Sequence, residues 1–224
     1  MAASLPDWDA DSPQLRRNLD KVSASIQADA EARVTPTVEA ARVWQCEIMS
    51  GLAVGKPAYA GRFRGEPGLE RCAVHVNHVY GADPWDVQRE LAEFEAKLQR
   101  SVAGLDAMYP TDASLDDDGM SAGIELAAWA HAEWVRIHPF ANGNGRTARV
   151  WANLLLMRYG LPPVVTLRPR PGGRYGVAGA AAMTGDREPT VRLFRRLVHD
   201  AALNPPRSTA AEKKKPPKPT EPGK

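Results

Sequence analysis

The chain has 224 residues and 24.4 kDa, enough for one sizeable core, and its formal net charge is only +2. That balance is uneven: residues 205–224 hold Arg207 and five lysines against Glu212 and Glu221, a local +4, which leaves −2 for the rest. A folded part without excess positive charge lacks the basic stripe that neutralises phosphates, so no nucleic-acid binding is expected.

The N-terminal stretch MAASLPDWDADSPQLRRNLD mixes acids with apolar residues and has no basic start and no apolar run. It therefore reads as neither a signal peptide nor a membrane span, and the expected setting is cytoplasmic. Cys46 and Cys72 are too few for a disulfide framework and read as small buried groups in a reducing compartment. Residues 11–34 suggest a helix or two with a modest apolar face, within an N-terminal extension spanning 1–34.

TPTVEAARVWQCEIMSGL follows, with Thr35 or Thr37 as a cap and Val38, Ala41, Trp44, Ile48 and Leu52 at helical spacing. Between Gly51 and Gly81 the glycines and prolines take turn positions, and Val74 and Val76 alternate with His75 and Asn77, which predicts a short hairpin. Asp83 and Pro84 then open a helix whose stripe of Trp85, Val87, Leu91, Phe94 and Leu98 runs to Gly104. SAGIELAAWAHAEWVRIHPF is apolar almost all round, which predicts a central helix ended at His138 by Pro139.

A second helix is expected to start near Gly145 or Arg146 and to stop at Gly160, ahead of Pro162 and Pro163. After an Arg/Pro/Gly loop at 168–174, EPTVRLFRRLVHDAAL is the last helix, with Val191, Phe194, Leu197, Val198 and Ala201 inward. The expected fold is mostly α, one domain over 35–203, with a hairpin; residues 204–224, rich in Pro and Lys, are expected to be disordered.

The chemistry concentrates in HPFANGNGRTAR, His138 to Arg149. A helix that starts just after GNG exposes unpaired backbone N–H groups, and two glycines let the chain curl so that several converge on one anion. Arg146 and Arg149, three apart, leave the same face of that helix and can grip phosphate oxygens with paired donors. His138 sits at the mouth of this cradle, where an uncharged imidazole can take a proton from a hydroxyl. Together they suggest attack of a hydroxyl on phosphorus.

Each part alone has a blander meaning. A histidine at a helix end is usually a cap, GNG is usually a turn, and arginines three apart are usually a solvated face. Only their joint occurrence in twelve residues is specific. GLAVGKP (Gly51 to Pro57) falls short of a Walker loop by one residue and lacks its Ser or Thr. His75 and His78 make a poor metal pair on a strand, and His131 and His199 read as core or surface residues.

HPFANGNGRTAR resembles the signature of the Fic family, usually written HPFx[DE]GNGRxxR, at every defined position but one. YAGRFRG with its following strand, and AAAMTGDREPTVRLF near the end, are also similar to the family core, so the resemblance covers about residues 35–202. It implies a helical bundle with a short β-hairpin flap, and a protein adenylyltransferase that moves AMP from ATP to a Ser, Thr or Tyr hydroxyl of a target, releasing pyrophosphate. His138 would be the base, Phe140 the loop anchor, and Gly143, Asn144 and Gly145 the phosphate cradle. Arg146 would hold the leaving phosphates, and Arg149 would bind the γ-phosphate. The flap, with Val74, His75, Val76 and Asn77 inside a candidate Gly61–Tyr80 segment, would pair with the target's main chain as an added strand.

The departure is Asn142, which stands where the family most often has Asp or Glu to hold magnesium, so a neutral oxygen replaces a charged one. Magnesium, or manganese, is still the expected ion because the nucleotide phosphates supply most of its charge. Gly143, Gly145 and Arg146 favour AMP transfer over the phosphorylation carried out by the Doc-like branch. Neither TPTVE (Thr35 to Glu39) nor TGDRE (Thr184 to Glu188) fits the family's inhibitory [ST]xxxE[GN] helix. Two arrangements follow: a toxin held by a small separate antitoxin, or activity kept low by Asn142. The rival readings are a silent nucleotide-binding module, transfer of another phosphate-linked group, and removal of AMP from a modified protein.

Overall fold

The computed structural model describes residues 12–76, 78–111 and 113–204. In chain order these form α1 (Pro13–Glu31), α2 (Val38–Met49), β1 (His75–Val76), β2 (Val79–Tyr80), α3 (Val87–Met108), α4 (Asp117–Ile137), α5 (Asn144–Arg158), α6 (Arg174–Met183) and α7 (Glu188–Leu203). Asn77 and the tail 205–224 lie outside the described residues.

α4 is the hub, packed against α3, α5, α6 and α7. Its small residues Ala127, Ala128 and Ala130 are fully buried and let neighbouring helices approach, while Trp134 fills the space toward α5. The Trp134 indole N–H donates to the Thr147 hydroxyl at 2.7 Å, joining α4 to α5 through two buried polar atoms that would each be costly alone. Around this bond Trp44, Phe94, Trp129 and Trp151 pack edge-on, tilted or stacked, with ring centroids 4.7–5.8 Å apart.

α1 is one helix capped by Ser12, and its apolar face is buried without remainder: Leu15, Leu19, Val22, Ile26 and Ala30 join the common core against α2 and α5. The Asn18 side chain, also buried, donates to the carbonyls of Ile48 and Ser50 at the end of α2. Thr37, not Thr35, caps α2 by accepting from Ala40 N–H.

Several expectations need correction. α3 begins at Val87, after a turn made by Asp83 and Pro84, and Trp85 is 70% exposed instead of belonging to the stripe. The helix also runs past Gly104 to Met108: nothing packs on Gly104, while Val102 and Leu105 are buried on either side and outweigh a cost of about 1 kcal/mol. α6 was not legible from periodicity because its stripe, Tyr175, Ala178, Ala182 and Met183, is diluted by Gly and Ala. Cys46 faces out from α2 and is exposed, and Cys72 is half-buried, so neither is the buried thiol expected.

Candidate active site

The segment between α4 and α5 builds the site. His138 ends α4 in a left-handed conformation (φ 53°, ψ 55°), with its N–H still bonded to Trp134 O at 3.0 Å. Pro139 forbids continuation of the helix, and the left-handed turn swings the next residues back into the core. Phe140 is fully buried there, its ring 4.8 Å from Phe63 and 5.9 Å from Trp134. A single antiparallel bridge pairs Phe63 with Phe140, and Arg64 N–H donates to Pro139 O at 2.7 Å.

Asn144 locks the loop internally. Its Oδ1 accepts from Phe140 N–H and its Nδ2 donates to Phe140 O, both at 2.8 Å, so the side chain faces inward and only its backbone is left for the cavity. Gly143 (φ 89°) is the N-cap of α5 and contributes no side-chain cap, which leaves the first-turn amides of Asn144 and Gly145 directed out of the helix end. A Cβ on Gly143 would stand 3.0 Å from the Met49 methyl in a backbone region hostile to L side chains. Behind the loop, buried Gln45 donates to Asn142 O (3.2 Å) and Tyr59 O (2.9 Å) and accepts from Gly61 N–H (2.6 Å).

These residues border a cavity of about 700 Å³. His138, Asn142, Gly143, Asn144, Gly145, Arg146 and Arg149 line one wall, Ala73–Val76 another, and α6 with Tyr175 and Met183 the third. His138 Nδ1 lies 2.9 Å from Val135 O, which can only accept; the neutral ring therefore carries its proton on Nδ1 and leaves the Nε2 lone pair unprotonated. Burial pushes His138 below the ordinary imidazole value and the nearby Arg64 charge adds to this, while the bond to Val135 opposes it.

Arg146 and Arg149 are almost completely buried. Arg146 donates to Asn142 Oδ1 at 3.2 Å. Arg149 donates to Leu167 O at 3.0 Å and to the Tyr175 hydroxyl at 3.4 Å, and that hydroxyl also bonds His131 Nε2 at 2.7 Å. Arg149 Nε and His131 Nδ1 are buried without a hydrogen-bond partner, an arrangement that costs stability unless a polar ligand uses the cavity. Burial first, and the Arg149 charge second, push His131 down to about 3, so it stays neutral. Sequence reasoning set His131 aside and did not single out Tyr175; spacing gives no signal for either, since their meeting depends on the α4–α6 packing.

The hairpin is shorter than the sequence suggests. His75 pairs with Tyr80 and Val76 with Val79, while Val74 lies outside the ladder and accepts from Gly81 N–H at 3.1 Å. Phe63 has left for its bridge to Phe140, which removes the start of the Gly61–Tyr80 segment from the hairpin. The ladder has two strands, and His75 and Tyr80 are exposed with rings 5.5 Å apart. Asn77 is outside the described residues.

Residues 62–156, which include the whole histidine-to-arginine loop, match the model of the Fic/DOC family. This part of the chain is similar to Fic/DOC domains. Over 138 residues, 62% of this chain, the sequence is 45% identical to the protein adenylyltransferase Fic of Aedes aegypti. The chain spans about a quarter of the length of that relative, 23%. Among solved structures the Fic/DOC fold is shared with Fic-1 from C. elegans (TM-score 0.61, 21% identity, covering 91% of this chain and 53% of that one). It is shared too with a BepC protein of Bartonella tribocorum holding AMPPNP (TM-score 0.58, 18% identity, covering 88% and 93%). α1, α2, α6 and α7 lie outside the matched Fic/DOC segment, although α6 closes its cavity. Among the described residues no helix is long and apolar enough to cross a membrane, and no three His, Cys, Asp or Glu side chains group as metal ligands.

Proposed function

We propose that the chain transfers AMP from ATP to a hydroxyl of a target protein and releases pyrophosphate. The observation that carries this reading is the unprotonated Nε2 of His138 on the wall of a cavity that also presents two buried arginines and uncapped amides. His138 takes the proton of the target hydroxyl as its oxygen attacks the α-phosphorus; the bond from that phosphorus to the bridging β-phosphate oxygen breaks, and pyrophosphate leaves. Arg146 holds the departing phosphates, Arg149 holds the γ-phosphate, and the amides of Gly143, Asn144 and Gly145 receive the charge. Phe140 keeps the loop in place from the core.

The donor set fits an ion that arrives on the nucleotide and not one held by the protein alone. Asn142 offers one neutral oxygen, already accepting from Arg146, and would be the protein's contact to magnesium or manganese, which would screen phosphate charge. The target docks along the flap at Val74, His75 and Val76, adding a strand to the exposed ladder. Among the described residues no carboxylate lines the cavity, so a glutamate that blocked Arg149 would come from elsewhere, as from a small inhibitory protein. The need for ATP and two unpaired cysteines suit a cytoplasmic setting.

A host lysate incubated with the protein, magnesium or manganese, and ATP labelled on the α- or γ-phosphate tests the reading, with His138→Ala beside it. Bands from the α label alone, absent in the variant, are expected; bands from the γ label alone would mean phosphorylation and overturn it. Asn142 favours a second reading, a nucleotide-binding module with little turnover. Binding of ATP without transfer, with transfer restored in Asn142→Asp, would establish that reading.

A further inference from the structure

Arg64 is fully buried, and its hydrogen bonds run to four backbone carbonyls. Nε donates to His138 O at 2.7 Å, Nη1 to Cys72 O at 3.1 Å, and Nη2 to Ala82 O at 2.7 Å and Ile137 O at 2.9 Å. Among the described residues no carboxylate forms an ion pair with it. A guanidinium withdrawn from water without an anion is costly and persists only where fixed dipoles replace the water. Here two of those dipoles are the last carbonyls of α4, the negative end of that helix, and the other two flank the hairpin, Cys72 before β1 and Ala82 after β2.

The three segments are in close contact at this point. Ala82 N–H also donates to Ile137 O at 3.1 Å. Gly81 lies so near the turn that a Cβ added to it would stand 2.5 Å from His138 Cβ, 3.0 Å from Ile137 O and 3.1 Å from Arg64 Nη2. Both feet of the flap and the residue carrying the imidazole are thus held by one planar, five-donor group, a task that the three rotatable donors of a lysine cannot match.

We propose that Arg64 is a positioning residue that clasps both feet of the flap to the His138 turn and so fixes the distance between a target segment on the flap and the His138 ring. This rests on the AMP-transfer reading above. Arg64 does not itself line the cavity, so its effect on the reaction passes through His138 and the flap while the phosphate cradle keeps its own bonds.

The test compares Arg64→Met, Arg64→Lys and Gly81→Ala with the wild type for ATP affinity, for the rate of AMP transfer at saturating ATP, and for hydrogen exchange of residues 73–82. Arg64→Met is expected to keep its ATP affinity, to lose transfer by about 100-fold, the scale of a misplaced reacting group, and to lose protection across the flap. Arg64→Lys should fall between. Transfer at the wild-type rate in a folded Arg64→Met would overturn the proposal, as would a parallel loss of ATP binding and cooperative melting. If Arg64→Met does not fold, Gly81→Ala decides: it keeps the guanidinium but wedges the flap foot from His138, and unimpaired transfer in it would sink the clasp. Should the wild-type chain transfer no AMP at all, the functional reading fails, and the clasp is judged by flap exchange and the His138 ring signals in NMR; no change in either would overturn it.

Discussion

The signature loop and the flap face each other across one cavity and are built in opposite ways. In the loop, nearly every polar side chain is committed: Asn144 to Phe140, Thr147 to Trp134, Arg149 to Leu167 and Tyr175, with Phe140 sunk in the aromatic core. The flap has two strands of two residues each, with His75 and Tyr80 exposed. In the proposed reaction a rigid cradle would place phosphate donors before the ligand arrives, which spares reorganisation. A short exposed ladder leaves its main chain able to accept an added strand whose side chains vary. Under the proposed function, the contrast separates what must be precise, the phosphate geometry, from what must be adaptable, the target surface.

Substitutions should break this contrast on one side at a time. The largest effect is expected for His138→Ala, which should lower AMP transfer about 1,000-fold in the labelled-ATP assay while ATP still binds. Because burial holds His138 below the ordinary imidazole value, the decline of wild-type transfer as pH falls should be centred below 6.5. A decline centred above 6.5 would contradict the buried-base geometry.

The next effect concerns stability on the loop side. His131 stays neutral down to about 3 when folded but takes up a proton near 6.5 when unfolded, so the unfolded chain binds more protons below pH 6.5 and stability falls with pH. Between pH 7 and pH 5 this group alone should remove about 2 kcal/mol, and urea unfolding of His131→Gln against wild type at both pH values should show the slope flattened by that amount.

On the flap side, Val76→Pro removes a ladder amide and should slow transfer to the protein target about tenfold, with no change in ATP affinity by equilibrium dialysis. Comparable in size is Gly143→Ala, where a positive φ and the Met49 methyl at 3.0 Å should together cost about 1–2 kcal/mol in thermal unfolding. If Val76→Pro weakened ATP binding instead, the division of labour between the two regions would be wrong.

How far the residues alone revealed this depends on the range of the interaction involved. The central helix, its end at His138 and the inward Phe140 follow from local pattern, because an all-apolar helix must be buried and proline stops it. α6 escaped notice because glycines and alanines dilute its stripe, and its value lies in Tyr175, which meets His131 and Arg149 from other helices. Arg64 and Gln45 read as ordinary polar residues in sequence. Each is fully buried and bonded to backbone from other segments, His138 lying 74 residues from Arg64 and Asn142 97 residues from Gln45. Trp85 erred the other way: its spacing fits the α3 stripe, but it lies in the turn before that helix and faces solvent.

By itself the sequence determined which segments become helices, α6 excepted, and that a histidine, a glycine-bounded turn and two arginines lie within twelve residues, since periodicity, caps and turn chemistry act over a few residues. The tertiary structure decided which imidazole nitrogen keeps its lone pair, where the arginines find partners, how short the flap is and what bonds it to the His138 turn. Those outcomes depend on burial and on carbonyls brought together from distant segments, which local pattern does not encode.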